Sequence, residues 1–209
     1  MSSQLFITVA GLLAASMVTG AIGAWVGQAI KSMIAWIGLL ILYIVGVFIV
    51  MAASHAAPPV AIGVMLGWTF LSGLVLAPAL HMYVEQLGWQ TVVGAFGGTA
   101  GVMAICGCIG ALSGINFSGM GTFLMFALIG LIVVGLISMF VRMSREVNIV
   151  WSIFGMLIFS GYFIFDFFRL SKAENTLPNA IDLTLNLYLD FINFFLYLLQ
   201  FLAAISDKH

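Results

Sequence analysis

The amino-acid sequence predicts an all-α fold: a polytopic membrane protein whose seven transmembrane helices form a single bundle over residues 1–209. Three observations carry the prediction. Hydrophobic residues make up 64% of the chain and charged residues only 6%, against about a quarter charged in ordinary soluble domains, so lipid must solvate most of the surface. The apolar runs reach the roughly 20 residues that a bilayer-crossing helix needs, and they do not alternate as barrel strands do. The breaks between them are too short to hold a soluble domain, and backbone groups in lipid must find their partners within the helix itself.

The first segment, 5–27, begins behind the uncharged MSSQ. It has no positively charged n-region, so it reads as a native span, although Ala21 to Ala24 mimics a small-x-small cleavage site. The second, 33–53, follows QAIKS. The third, 59–84, follows SHAAPP and contains Pro78 in LSGLVLAPALHM; the missing backbone donor predicts a kink there and a hinge role for Pro78. The fourth, 90–114, lies between EQLGWQ and GINFSG and is dense in glycine. Gly94 and Gly98, then Gly110 and Gly114, are four apart, as are Gly63 and Gly67 in the third segment, a spacing that lets membrane helices approach closely. The fifth, 119–141, ends at RMSREV; the sixth is 147–170; the seventh, 181–205, follows SKAENTLPNAI, the longest break. Lys31, Arg142, Arg145 and Lys208 fall on one side and Arg169 and Lys172 on the other, which points to a cytoplasmic C-terminus.

A net charge of -1 with six basic residues offers no patch for nucleic acid and no polybasic lipid-binding segment. The lipid bilayer is the partner that composition implies. Cys106 and Cys108 are two apart, too close for a disulfide within a helix and too few for a metal site, so they read as packing thiols. His81 and Glu85, four apart at a helix end without further ligands, read as an interfacial pair.

The seventh segment carries a stripe of polar residues. Asp182, Asn186, Asp190, Asn193, Tyr197 and Gln200 are separated by three or four residues and share one helical face. A carboxylate facing lipid would cost several kcal/mol, so the stripe must face protein or a water-filled cavity. In the sixth segment, SGYFIFDFFRL places Tyr162, Asp166 and Arg169 at similar spacing. Helical rise puts Asp166 about 6 Å and Asp190 about 14 Å from the joining loop, so tilt or a seventh helix that begins lower must close the difference. Two carboxylates that meet in a low-dielectric site share a proton and titrate as a pair. Protonated, they form a clasp between helices; deprotonated, they repel each other and attract a cation. Asn186 and Asn193 would add the neutral oxygens that calcium favours. The simpler alternative pairs Asp166 with Arg169 and Asp190 with Asn186 as plain helix-to-helix bonds.

FDFFRL, a polar loop and then AIDLTLNLYLDFINFFLYLLQFL together resemble the closing signature of the Bax inhibitor family, also called the transmembrane Bax inhibitor motif family. TFLSGLVLAPAL resembles that family's small-residue and proline pattern, and the seven segments match its bundle. The resemblance implies a pH-sensitive calcium leak in which Asp166 and Asp190 act as sensor, gate and transient calcium site, supported by Tyr162, Asn186, Asn193, Arg169 and Asp182. It implies calcium as the transported ion with no cofactor, a bacterial inner membrane as the location, and a membrane-anchored protease as a partner. In some members an arginine of the second helix latches the aspartates; this chain has no Lys or Arg between Lys31 and Arg142, so that latch is absent or replaced.

Enzymatic readings fit less well. Two membrane aspartates and a PAL tripeptide at Pro78 to Leu80 echo an intramembrane aspartyl protease, but YLD at 188–190 is not its GxGD context and the PAL precedes both acids. The Ser-Gly pairs at Ser72, Ser113, Ser118 and Ser160 lack the glycine two positions earlier that a rhomboid-type serine protease has. No catalytic residue is expected. The remaining alternative is a membrane interaction protein that modulates a membrane-anchored protease or quality-control machinery, with the aspartates structural.

Overall fold

The structure, a computed structural model, describes residues 3–138, 141 and 143–206. Seven helices account for nearly all of them: α1 Ser3–Gly27, α2 Met33–Ala53, α3 Pro58–Leu87, α4 Trp89–Leu112, α5 Met120–Ser138, α6 Arg145–Lys172 and α7 Leu177–Ser206. Each is long and apolar enough to cross a membrane, and no strand occurs among the described residues. Arg142 and Lys208, two of the charges used to orient the chain, lie outside the described residues.

The ends follow local chemistry. Ser32 caps α2, accepting from the Ala35 amide at 3.4 Å. A single residue, Gly88, separates α3 from α4 at φ +82°, a left-handed conformation that glycine adopts without steric cost. The largest departure from the expected boundaries is the start of α7, four residues early, whereas α3 starts within one residue of its expected position. SHAAPP and SKAENTLPNAI read as breaks, yet α3 begins at Pro58 and α7 at Leu177 with Pro178 in its first turn. Proline lacks only an N–H that a first turn leaves unpaired anyway, so it starts these helices instead of interrupting them. Pro78 lies within the continuous span of α3.

The described residues group into two compact units, and α7 contributes to both. The first holds α1, α2, α3 to Met82 and α7 to Tyr188. Within it α1 and α3 meet backbone to backbone: a methyl on Gly23 would fall on the Phe70 carbonyl oxygen, and one on Gly73 on the Gly20 carbonyl oxygen. Trp68 stacks on Tyr43 at 5.1 Å and donates to the Tyr43 carbonyl at 2.9 Å. The Tyr188 hydroxyl, fully enclosed, lies 3.2 Å from Ser72 Oγ, and Thr19 and Thr69 share a 2.6 Å hydroxyl bond. The indole of Trp36 on α2 donates to the Val75 carbonyl at 3.0 Å, in the turn of α3 that Pro78 deprives of a donor.

The second unit holds the end of α3, α4, α5, α6 and α7 from Leu189. α4 and α5 pack against α6. A methyl on Gly110 would fall on the Ile164 carbonyl oxygen, and Gly107 lies against the Phe167 ring. Phe163 and Phe194, with ring centroids 5.8 Å apart, join α6 to α7, and Phe96 of α4 meets Phe191 at 4.8 Å. The close approaches expected at Gly63, Gly67 and Gly94 do not occur: a methyl at any of them meets nothing within 4 Å. Gly114 instead ends its helix region at φ +72°. Cys106 and Cys108 are free thiols, one buried and one exposed.

Candidate functional site

The site is built by two helices of the second unit whose polar residues keep a strict spacing. On α6, Arg145, Asn148, Ser152, Gly155, Phe159, Tyr162, Asp166 and Arg169 alternate steps of three and four, so they form one face. On α7, Asp190, Asn193, Tyr197, Gln200 and Ala204 do the same. The two faces meet along the unit. Tyr197 stacks on Phe159 at 5.9 Å, Gln200 donates to Asn148 Oδ1 at 3.4 Å, and Arg145 Nε donates to the Ala204 carbonyl at 2.7 Å.

Asp166 and Asp190 are the charged centre of this seam. Both are buried, at 3% and 6% exposure, and they come within side-chain hydrogen-bonding reach of each other. A hydrogen bond between two carboxyl groups exists only when one of them carries a proton, since an ionised carboxylate has no donor. Arg169 holds the other side of Asp166, with Nη1 3.1 Å from Oδ1. Its side chain is 38% exposed and its guanidinium lies 5.9 Å over the Phe165 ring, a cation at the rim of the site and not sealed within it. Asp190 Oδ2 is buried with no hydrogen-bond partner among the described residues. An unpaired buried carboxyl oxygen costs free energy that a fully satisfied structural bond would not.

Helical counting does not bring these acids level. α6 ends at Lys172 and α7 begins at Leu177, which leaves Asp166 about 9 Å and Asp190 about 20 Å along their helices from the joining turn. α7 begins at Leu177, four residues before its expected start, so equal helical counts are not what brings the pair together.

Of the other residues singled out from sequence, Tyr162 lies one turn from Asp166 within electrostatic range of both carboxyl groups. Asn193 gives its amide to the Leu189 carbonyl at 2.8 Å. Asp182 and Asn186 belong to the first unit, where the Asn186 amide reaches Asp182 Oδ2 at 3.5 Å; the simple pairing of Asn186 with Asp190 is not formed by this bond. Pro78 also belongs to the first unit. Sequence reading missed Arg145, Asn148 and Ser152, which continue the Tyr162–Asp166–Arg169 spacing back to the start of α6. The same three-and-four count, carried five steps further toward the N-terminus, would have found them.

What such an arrangement does chemically is limited and specific. Among the described residues no three His, Cys, Asp or Glu side chains gather as a metal-holding group. Two carboxyl groups and a tyrosine hydroxyl on adjoining helices suit a proton that is shared and then lost, with a cation briefly taking its place.

Comparison with known proteins bears on the whole chain. The family model described as Inhibitor of apoptosis-promoting Bax1 matches residues 2–207. An uncharacterized protein of Borreliella burgdorferi is 32% identical over 160 residues, covering 73% of this chain and 67% of its own length. An uncharacterized membrane protein of Streptococcus pyogenes serotype M1 is 32% identical over 169 residues, covering 78% and 72%. A protein of Helicobacter pylori is 27% identical over 196 residues, covering 93% and 84%.

Proposed function

The chain belongs to the Bax inhibitor family, and from that premise we propose that it is a proton-controlled calcium leak of a bacterial cytoplasmic membrane, with Asp166 and Asp190 as sensor and transient ion site. It is a multi-pass membrane protein; the bacterial relatives support the choice of membrane. The observation that carries the reading is the buried acid pair with one oxygen of Asp190 left unpaired. With one proton between them, the two side chains clasp α6 to α7. Without it, two like charges face each other in a low-dielectric seam, and the repulsion loosens the helices while drawing in a cation. Arg169 is positioned to favour the ionised form of Asp166. Calcium is the cargo, met by carboxylate oxygens that hold it weakly enough to let it leave, and the protein acts as a passage with no catalytic residue or cofactor.

The test is calcium entry into indicator-loaded liposomes across a pH series, for the wild-type chain, Asp166→Asn and Asp190→Asn. Entry that rises with pH in the wild type and loses its pH dependence in either variant supports the leak. Folded wild-type protein that matches empty liposomes at every pH removes it, and partner capture, with a membrane-anchored protease as the partner, becomes the better reading.

A further inference from the structure

Between the acid pair and the end of the seam at Asn148 and Gln200 the polar lining is interrupted by two stacked rings, Tyr197 of α7 and Phe159 of α6. Tyr197 is one turn beyond Asn193 on α7 and lies flat against the place where α6 has no side chain. A methyl on Gly155 would sit 2.5 Å from two carbons of the ring. The ring stacks on Phe159 with an interplanar angle of 28°, and Trp151 lies within hydrogen-bonding reach of its hydroxyl. Beyond it the seam is polar again, with the Gln200–Asn148 bond and the Arg145 guanidinium on the last carbonyls of α7.

We propose that Tyr197 is a second closure of the seam, a ring that separates the Asp166–Asp190 pair from the polar end at Asn148, Gln200 and Arg145 and must leave Gly155 before a hydrated cation can pass. The proposal rests on the leak reading for its purpose but not for its geometry. An aromatic ring seated on bare backbone fills the space between the two helix faces that a water chain would need. Glycine at 155 is required because any larger residue would displace the ring. Packing, not a titrating group, holds this closure, so losing the proton at the acid pair does not by itself open it. The passage then has two barriers in series, one electrostatic and one steric.

Thiol accessibility tests the closure without calcium. In a Cys106→Ala, Cys108→Ala background, Asn193→Cys in liposomes is treated with a charged, membrane-impermeant methanethiosulfonate from the side on which α7 ends. A group reached only through rare openings reacts slowly, so removing the barrier raises the rate by about tenfold or more. Tyr197→Ala and Gly155→Ala, which removes or displaces the ring, are expected to show that rise. Tyr197→Phe, which keeps the ring, and Leu198→Ala, which trims the neighbour facing Gly98, are expected to stay protected. The closure is overturned if the thiol reacts equally fast with Tyr197 intact, if it stays protected in both opening variants, or if Leu198→Ala exposes it as much. Vesicles with the same Tyr197 and Gly155 variants but native Asn193 are assayed for calcium entry: exposure of the thiol with no calcium flux at any pH sinks the leak and keeps the closure, whereas calcium flux with an unchanged thiol rate does the reverse.

Discussion

Gly110→Ala isolates the contact that sets the distance between α4 and α6. The new methyl would land on the Ile164 carbonyl oxygen and stand 3.0 Å from its carbon and 3.1 Å from the Phe168 nitrogen. These are backbone atoms and cannot rotate away, so α4 must retreat. Overpacking of this kind costs about 1–3 kcal/mol, with the upper end expected against backbone, and alanine returns about 1 kcal/mol through better helix propensity. The net loss is about 2 kcal/mol, which at about 2–4 °C per kcal/mol lowers the midpoint by about 4–8 °C. Gly94→Ala in the same helix meets nothing within 4 Å and keeps only the propensity gain, raising the midpoint by about 2–4 °C. Thermal unfolding in detergent, followed by the reactivity of the buried Cys106 thiol of α4, reads both. The segment of α6 that loses this contact, Ile164 to Phe168, spans Asp166, so calcium entry should change in Gly110→Ala and not in Gly94→Ala. Equal midpoints for the two variants would refute the assignment of this crossing.

Tyr188→Phe removes a buried hydroxyl bonded to Ser72 at 3.2 Å and should cost about 1 kcal/mol, seen as a lower midpoint in the same melt. Trp36→Phe withdraws the indole that donates to the Val75 carbonyl at 3.0 Å and should cost a similar amount in the same melt. Arg169→Gln removes the cation 3.1 Å from Asp166. The ionised acid pair is then less favoured, so the onset of calcium entry should move to higher pH; a move to lower pH contradicts the role given to Arg169.

Composition made the membrane class legible, because a chain with so few charges has no other solvent, and the helices could be placed from the breaks between apolar runs. The boundary that slipped most did so at Pro178, which lies in the first turn of α7 and was read as part of the break before it. The acid pair was legible because carboxylates stand out in an apolar background and the three-and-four spacing put them on inward faces. Its other half was not, since RMSREV looked like a loop and hid Arg145, while Asn148 and Ser152 lay within the expected segment but the spacing was not followed back to them. Glycine spacing misled at Gly63 and Gly94: a four-residue repeat says that an approach is allowed, while which face meets a neighbour depends on tertiary packing. The hydroxyl cluster of Ser72, Thr69 and Tyr188 carries no charge and no period, so nothing in the sequence separated it from ordinary core.

The central claim is that Asp166 and Asp190 hold one proton between them and give it up as the passage opens. Isotope-edited infrared difference spectroscopy of the protein in liposomes, with Asp166→Asn and Asp190→Asn to assign the bands, reads that proton directly. The prediction is one protonated-carboxyl stretch, abolished or shifted by either substitution, that disappears over the pH interval in which calcium entry rises. Two ionised carboxylates throughout that interval, or a protonated band indifferent to both substitutions, would contradict it.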